Sequence, residues 1–260
     1  MNFNINIKDI INNKLQMPPK LKKNTIVKNV EKSKNNIRKV KQINTREHIK
    51  SRSMWAGSKN SQLQEFYVLC ESKDEYSEDI NNIFESKELK FPPALYKIID
   101  EIMVNAIDHY VSFPKQVTEI KISVSDNGII SVYNNGPGIH IEETKNIQGE
   151  IMYTPQLIFS EFYAGSNLDD IENSERIVGG QNGLGAKITA VFSDFFTVET
   201  CDVVSKKHYT QTFKDGLKII EKPTIKKSKK SDKPFTRITF LPTYSDFKLD
   251  IKTFYQTIYK

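Results

Sequence analysis

Apolar residues recur along this chain at two spacings, and the change from one to the other divides it into elements. In P-P-A-L-Y-K-I-I-D-E-I-M-V-N-A-I-D-H-Y, Pro92 to Tyr110, the positions Leu95, Ile98, Ile99, Ile102, Met103 and Ala106 follow the 3.6-residue period of a helix and cover most of its circumference. Pro92 and Pro93 stand at its mouth, where a missing N–H is tolerated. One stripe is polar: Glu101, Asn105 and Asp108, or its neighbour His109, at i, i+4 and i+7/8. From Ile120 the period drops to two. Ile120, Ile122 and Val124 alternate with polar residues, D-N-G (Asp126 to Gly128) supplies a turn tolerant of positive φ, and I-I-S-V-Y runs back into a glycine-rich corner, N-N-G-P-G-I, Asn134 to Ile139. From about His140 to Gly185, helical patches such as P-Q-L-I-F-S-E-F alternate with polar, glycine-bearing loops, as expected of a mobile lid. Beyond Lys187, I-T-A-V-F-S leads into F-F-T-V-E-T. H-Y-T-Q-T-F, L-K-I-I-E and, after a lysine-rich loop at Lys226 to Lys230, F-T-R-I-T-F-L-P then alternate as strands. The sum predicts an α+β fold, an α/β sandwich with helices on one face of a mostly antiparallel sheet.

Composition adds a boundary and excludes some classes. At 260 residues and 38% hydrophobic content, the chain can form one domain and a tail. The first 50 residues hold thirteen basic side chains against three acidic ones, with Pro18 and Pro19 adjacent. That segment reads as a flexible basic arm, residues 1–50, ahead of a domain over 51–260. The arm either touches DNA phosphates or is a solvated tail. A formal charge of +6 favours polyanionic partners, DNA or nucleotide phosphates, although surface lysine also serves solubility. The acidic run Glu71 to Glu85 reads as a surface insertion. Cys70 and Cys201 stand alone, without metal or redox spacing. With no apolar run of about 18 residues and no charged-then-apolar leader, neither membrane contact nor secretion is expected, and the protein reads as intracellular.

The chemistry concentrates at three places. G-G-Q-N-G-L-G-A-K, Gly179 to Lys187, has the glycines and lysine of a phosphate loop but fails as G-x-x-x-x-G-K-[ST], because Ala186 stands where the lysine belongs. Gly179, Gly180, Gly183 and Gly185 let successive N–H groups turn inward as an anion nest, a helix opens at Ala186, and Lys187 adds a point charge for a terminal phosphate. A flexible linker is the plainer alternative. Glu101 on a core-seeking helix is costly unless a ligand compensates, and it suits deprotonation of a water, with Asn105 as a neutral oxygen ligand for Mg²⁺ one turn on. An exposed polar helix face is the competing reading. In N-N-G-P-G the glycines would admit a flat ligand while the Asn134 amide reads a base edge, unless the stretch is simply a surface turn.

In this order, separated by a hairpin and a lid, the three features resemble the GHKL (Bergerat-fold) ATPases. D-E-I-M-V-N-A-I-D-H looks like their first motif, N-N-G-P-G-I their second, G-G-Q-N-G-L-G-A-K their third, and T-R-I-T-F, Thr236 to Phe240, their fourth. R-E-H-I-K-S-R-S-M-W-A-G, L-Y-K-I-I-D-E-I-M-V-N-A, Asn134 in place of the aspartate of gyrase-like relatives, and F-T-V-E-T bring it nearest to the ATPase region of eukaryotic-type and viral DNA topoisomerase II. The resemblance runs from about Arg46 to the C-terminus. It implies ATP and Mg²⁺ as ligands, Glu101 as general base, Lys187 as its catalytic partner, and Asn105 as the metal ligand. Asn134 and Thr236 would meet the adenine beside Gly136 and Gly138. Gly165, Ser166 and Asn167 would touch ribose and phosphate from the lid. Gly180, Gln181, Asn182, Gly183, Leu184, Gly185, Ala186 and Lys187 would wrap the triphosphate.

It further implies homodimerisation on ATP binding, double-stranded DNA as partner and strand passage in a complete enzyme, working in the nucleus or, for a viral protein, the host cytoplasm or nucleus. His109 departs from the family, standing where the relatives usually have asparagine. S-R-S-M-W-A-G agrees only with a viral subset. Because the sequence stops at Lys260, just after the fourth motif, transducer and cleavage-core segments are expected in the same or a separate chain. The isolated chain is expected to hydrolyse ATP weakly and not to pass strands. The rival readings are a chaperone or mismatch-repair ATPase of the same superfamily, against which V-N-A-I-D and F-T-V-E-T argue, and a non-catalytic remnant, against which Glu101, Asn105 and Lys187 argue.

Overall fold

The computed structural model describes residues 42–69, 84–164, 183–251 and 254. The basic segment to residue 41, the acidic insertion between 70 and 83, and residues 165–182 lie outside the described residues.

Folding starts earlier than the composition change suggested. Helix α1 (Thr45–Ser51) lies inside the stretch read as an arm: Asn44 caps it, accepting from the Glu47 N–H at 2.9 Å, and Ile49 is wholly buried. The short α2 (Ser53–Ala56) is tied back to it by Trp55 Nε1, which donates to His48 Nδ1 at 2.8 Å. The folded unit therefore begins at Ile43. An asparagine followed three residues later by glutamate is a helix-start signature, outweighed here by the surrounding lysines.

Strands β1 (Gln62–Leu69) and β2 (Phe84–Phe91) form an antiparallel pair that flanks the acidic run, where only an insertion was expected. Phe66 meets the rings of Phe91 and Tyr96 at 6.4 and 5.5 Å, which carries this pair onto the next helix. That helix, α3 (Pro93–Ser112), matches its predicted face: Leu95, Ile98, Ile102 and Ala106 are buried, together with Ala94, and Ile99 and Met103 pack at the margin. With prolines at its start, no side chain caps it; instead Ala94 N–H donates to Ser58 O at 3.0 Å.

The main sheet contains β3 (Ile120–Val124), β4 (Ile130–Asn135), β7 (Ser193–Asp202), β8 (Lys207–Lys214), β9 (Ile219–Ile220), β10 (Thr224–Lys227) and β11 (Phe235–Pro242). Its order is β10-β8-β7-β11-β4-β3 with β9 on β8, and every one of these pairings is antiparallel. The lysine-rich loop is thus partly strand, since β10 reaches Lys227. Gly128 turns the β3–β4 hairpin at φ +76°, and Tyr244 OH donates to its carbonyl at 2.8 Å. Between the sheet's halves, β5 (Glu143–Lys145), β6 (Ile151–Tyr153) and α4 (Thr154–Ser160) form ordered structure with Phe159 in the core, so the stretch expected as a mobile lid from His140 is built structure as far as Ala164.

Helices α3 and α5 (Gly185–Val191) cover one sheet face, and Thr189 Oγ1 ties them by donating to Ile98 O at 2.8 Å. Beneath them lie Ile130, Val132, Phe196, Val198, Phe213, Ile238 and Phe240, each worth roughly 1.5–3 kcal/mol of burial. The other face is polar: Ser131 meets Thr239 at 3.1 Å, Thr197 meets Thr212 at 3.0 Å, and Arg237 lies over the rings of Tyr133 and Phe235. The sandwich expected from the pattern is the one observed.

Candidate functional site

Cross-strand register arranges the covered sheet face in rows that change character from one end to the other. Ile130, Phe240, Phe196 and Phe213 make one row across β4, β11, β7 and β8; Val132, Ile238, Val198 and Gln211 make the next; Asn134, Thr236, Thr200 and Tyr209 make the third. An amide and three hydroxyls in a core-facing row cost stability unless each finds a partner. Thr200 Oγ1 donates to Phe235 O at 2.9 Å and accepts from Ile139 N–H at 2.9 Å. Its proton being spent, the Thr236 hydroxyl 3.3 Å away must donate to it, leaving Thr236 with lone pairs only. Tyr209 OH donates to Gln211 Oε1, and burial pushes its phenol up. Asn134 is 5% exposed, and its Nδ2 lies 2.9 Å from Asn135 O and 2.7 Å from His109 Nδ1.

The polar stripe of α3 stands over this row. His109 is edge-on to Phe113, and burial lowers its pKa. Asn105 is exposed. Glu101 is half-buried and pairs through Oε1 with Lys97 Nζ at 2.6 Å. A Cβ at Gly185 would overlap Glu101 Oε2, so the first motif's carboxylate occupies the space that the third motif's last glycine leaves open. A side chain at position 185 would therefore have to displace this carboxylate.

The described part of the third motif runs from Gly183 to Lys187. Gly183 has φ +58°, and a Cβ there would lie 2.6 Å from Ala164 O. The side chains of Leu184 and Ala186 go into the core. Lys187 is 1% exposed and its Nζ donates to Ala164 O and Gly183 O, the carbonyls on either side of residues 165–182. Burial pulls its pKa down to about 8, opposed by the charge of Glu161. The ammonium expected to serve as a point charge for a terminal phosphate is held by backbone carbonyls in this structure.

At the second motif, the space below Gly138 is filled by the Cys201 carbonyl and that below Gly136, at φ +99°, by Val117. These glycines admit neighbouring protein closely to the corner on the side a Cβ would occupy. The chain beyond is pinned by Asp202, which accepts from Ile141 N–H at 3.3 Å and pairs with His140 Nδ1 at 2.8 Å. Gly165, Ser166, Asn167, Gly180, Gln181 and Asn182 lie outside the described residues.

Glu101 and Gly185, and likewise Asn134, Thr236 and His109, are brought together; Thr200 and Lys97 join them unforeseen. A hydroxyl in the same strand phase as Val198 marked Thr200, and the i, i+4 spacing to Glu101 marked Lys97.

The chain is similar to known proteins over most of its length. The profile of the histidine kinase-, DNA gyrase B- and HSP90-like ATPase family matches residues 91–232. DNA topoisomerase 2 of Penicillium chrysogenum is 38% identical over 221 residues, 84% of this chain and 13% of that protein. Human DNA topoisomerase 2-alpha is 37% identical over 230 residues, 87% of this chain and 14% of that protein. The chain thus spans about one seventh of the length of these relatives. Among solved structures, the ATPase region of Saccharomyces cerevisiae topoisomerase II superposes with a TM-score of 0.72 at 30% identity, over 84% of this chain and 56% of that one. The ATPase and transducer domains of Balamuthia mandrillaris topoisomerase II give 0.70 at 32%, over 80% and 50%.

Proposed function

Since the chain belongs to the histidine kinase-, DNA gyrase B- and HSP90-like ATPase family, we propose that it is the ATP-binding and ATP-hydrolysing module of a type II DNA topoisomerase. The observation that carries the reading is the lodging of the Glu101 carboxylate over Gly185, which joins the first motif to the third. The base sits between α3 and the polar row, with Thr236 lone pairs and the Asn134 amide toward its edge. The triphosphate runs toward Gly183–Lys187, where backbone N–H groups and the α5 start receive it. Lys187 exchanges its carbonyl partners for phosphate oxygens.

In hydrolysis, Glu101 takes a proton from the attacking water as the new oxygen–phosphorus bond forms and the bond to the β,γ-bridging oxygen breaks. Lys97 holds Oε1 and so turns Oε2 to the loop. Asn105 fits a Mg²⁺ site: it is an exposed neutral oxygen donor one turn from Glu101, and no cluster of three or more His, Cys, Asp or Glu among the described residues would hold a metal without the phosphates. When bound, Mg²⁺ neutralises phosphate charge.

In the complete enzyme, ATP binding drives homodimerisation and hydrolysis resets a gate for double-stranded DNA, with transducer and cleavage segments supplied by the same or another chain. The R-E-H-I-K-S-R-S-M-W-A-G stretch supports a viral source, and action on DNA supports an intracellular site of work. The test is binding of the β,γ-imido analogue of ATP with Mg²⁺, together with ATP turnover. Asn105→Ala is expected to abolish Mg²⁺-dependent binding, and Glu101→Ala to bind without hydrolysing. Equal binding and equal turnover by wild type and both variants would overturn the assignment.

A further inference from the structure

Asn134 can read a base in two opposite ways, because an amide is an acceptor on one side and a donor on the other. An aspartate at this position would need no orienting, since both of its oxygens accept; an asparagine must be held. Two distances settle how. Asn135 O can only accept, so the Asn134 atom 2.9 Å from it is a donating nitrogen, and the same Nδ2 lies 2.7 Å from His109 Nδ1. His109 Nδ1 must therefore accept, which makes the ring neutral with its proton on Nε2. Both Nδ2 hydrogens are spent on protein, and Oδ1 remains as the group offered to a ligand.

We propose that His109 is a positioning residue that fixes the Asn134 amide with Oδ1 toward the base and thereby selects 6-amino purine nucleotides over 6-keto ones. The inference rests on the reading of this row as the base site. An exocyclic amine donates to Oδ1, whereas a keto oxygen meets it lone pair to lone pair. Flipping the amide to suit a keto group would set Oδ1 against Asn135 O and require the His109 proton to move from Nε2 to Nδ1, so the alternative costs a repulsive contact and a change of tautomer. Protonating His109 would set N–H against N–H and release the amide.

The charges around the ring leave the neutral form in place. Of the elements packed on α3, α5 carries Lys187, bonded here to two carbonyls; β4 carries Tyr133 on the opposite sheet face; α2 carries no charge; and the charged β1–β2 pair meets α3 at Tyr96, more than three turns from His109. On α3 itself Glu101 lies two turns away and the neighbouring Asp108 has interactions of its own. Burial lowers the His109 pKa, in agreement with the hydrogen-bond argument.

The test measures binding of the β,γ-imido analogues of ATP and GTP, with Mg²⁺, to the full chain from about pH 5 to 8, the range in which histidines titrate. Wild type should prefer the adenine analogue near neutrality and lose about tenfold of that preference as pH falls, the value of roughly one hydrogen bond. His109→Gln, which keeps an acceptor without titrating, should hold its preference across the range. His109→Phe should show the reduced preference at every pH. Identical, pH-independent preference in wild type and both variants would overturn the inference while leaving the nucleotide site intact; absence of any nucleotide binding by wild type would overturn both.

Discussion

The two outer rows of the covered sheet face use the same four strands, the same phase and the same helices as a roof, yet one is core and the other is site. Ile130, Phe240, Phe196 and Phe213 are apolar throughout and fully or almost fully buried. Asn134, Thr236, Thr200 and Tyr209 occupy equivalent places four residues along the same strands, and their polar atoms are matched by Ile139 N–H, Phe235 O, Gln211 and His109. Strand alternation decides only which face a residue joins. Whether the row holds the fold together or holds a ligand depends on what polar atoms remain once the protein's own pairing is complete.

That contrast gives graded expectations. Phe240→Ala, in the apolar row, should lower unfolding free energy by about 3–5 kcal/mol, read by chemical denaturation, with nucleotide affinity reduced only in proportion to the unfolded fraction. Gly185→Ala should do the reverse. Its Cβ displaces the Glu101 carboxylate, so ATP turnover should fall about 10²-fold, near 2.7 kcal/mol at the transition state, while the melting midpoint changes little. Thr200→Val tests the polar row itself: it strands Ile139 N–H and leaves Phe235 O without this donor, so roughly 1–3 kcal/mol of stability and part of the adenine preference should be lost together. A stability loss without any change in preference would separate Thr200 from the base site.

The smallest effect concerns acid. His109 has a folded-state pKa below its ordinary value near 6.5, so its contribution is present above that value and is lost as pH falls toward the lowered one. Urea titrations below about pH 6.5 should therefore show a shallow decline in stability that His109→Gln lacks. A parallel decline in both proteins would remove His109 as its source.

Much of this was legible beforehand, for identifiable reasons. The α3 face was read correctly because Leu95, Ile98, Ile102 and Ala106 repeat at the helical period, and the β3–β4 hairpin because Asp126 to Gly128 carry turn chemistry. The β1–β2 pair was missed because F-E-S-K-E-L-K-F shows no clean alternation and gains its partner only across the acidic insertion. Helix α1 was missed because one buried isoleucine is a weak signal among lysines. At the site, residue types pointed to Glu101 and Asn134 and the family resemblance to Thr236, but Thr200 and Lys97 acquired meaning only from their neighbours.

The order of elements, the helix face, the strand phase and the motifs follow from local rules, since side-chain spacing and backbone sterics act within a few residues and are written directly in the chain. The meetings that make the site act across long separations: Glu101 with Gly185, Asn134 with His109, Thr200 with Thr236, Lys187 with Ala164. Those depend on strand register and on how α3 and α5 settle over the sheet. Both are set by the packing of the whole core, and no spacing along the chain contains them.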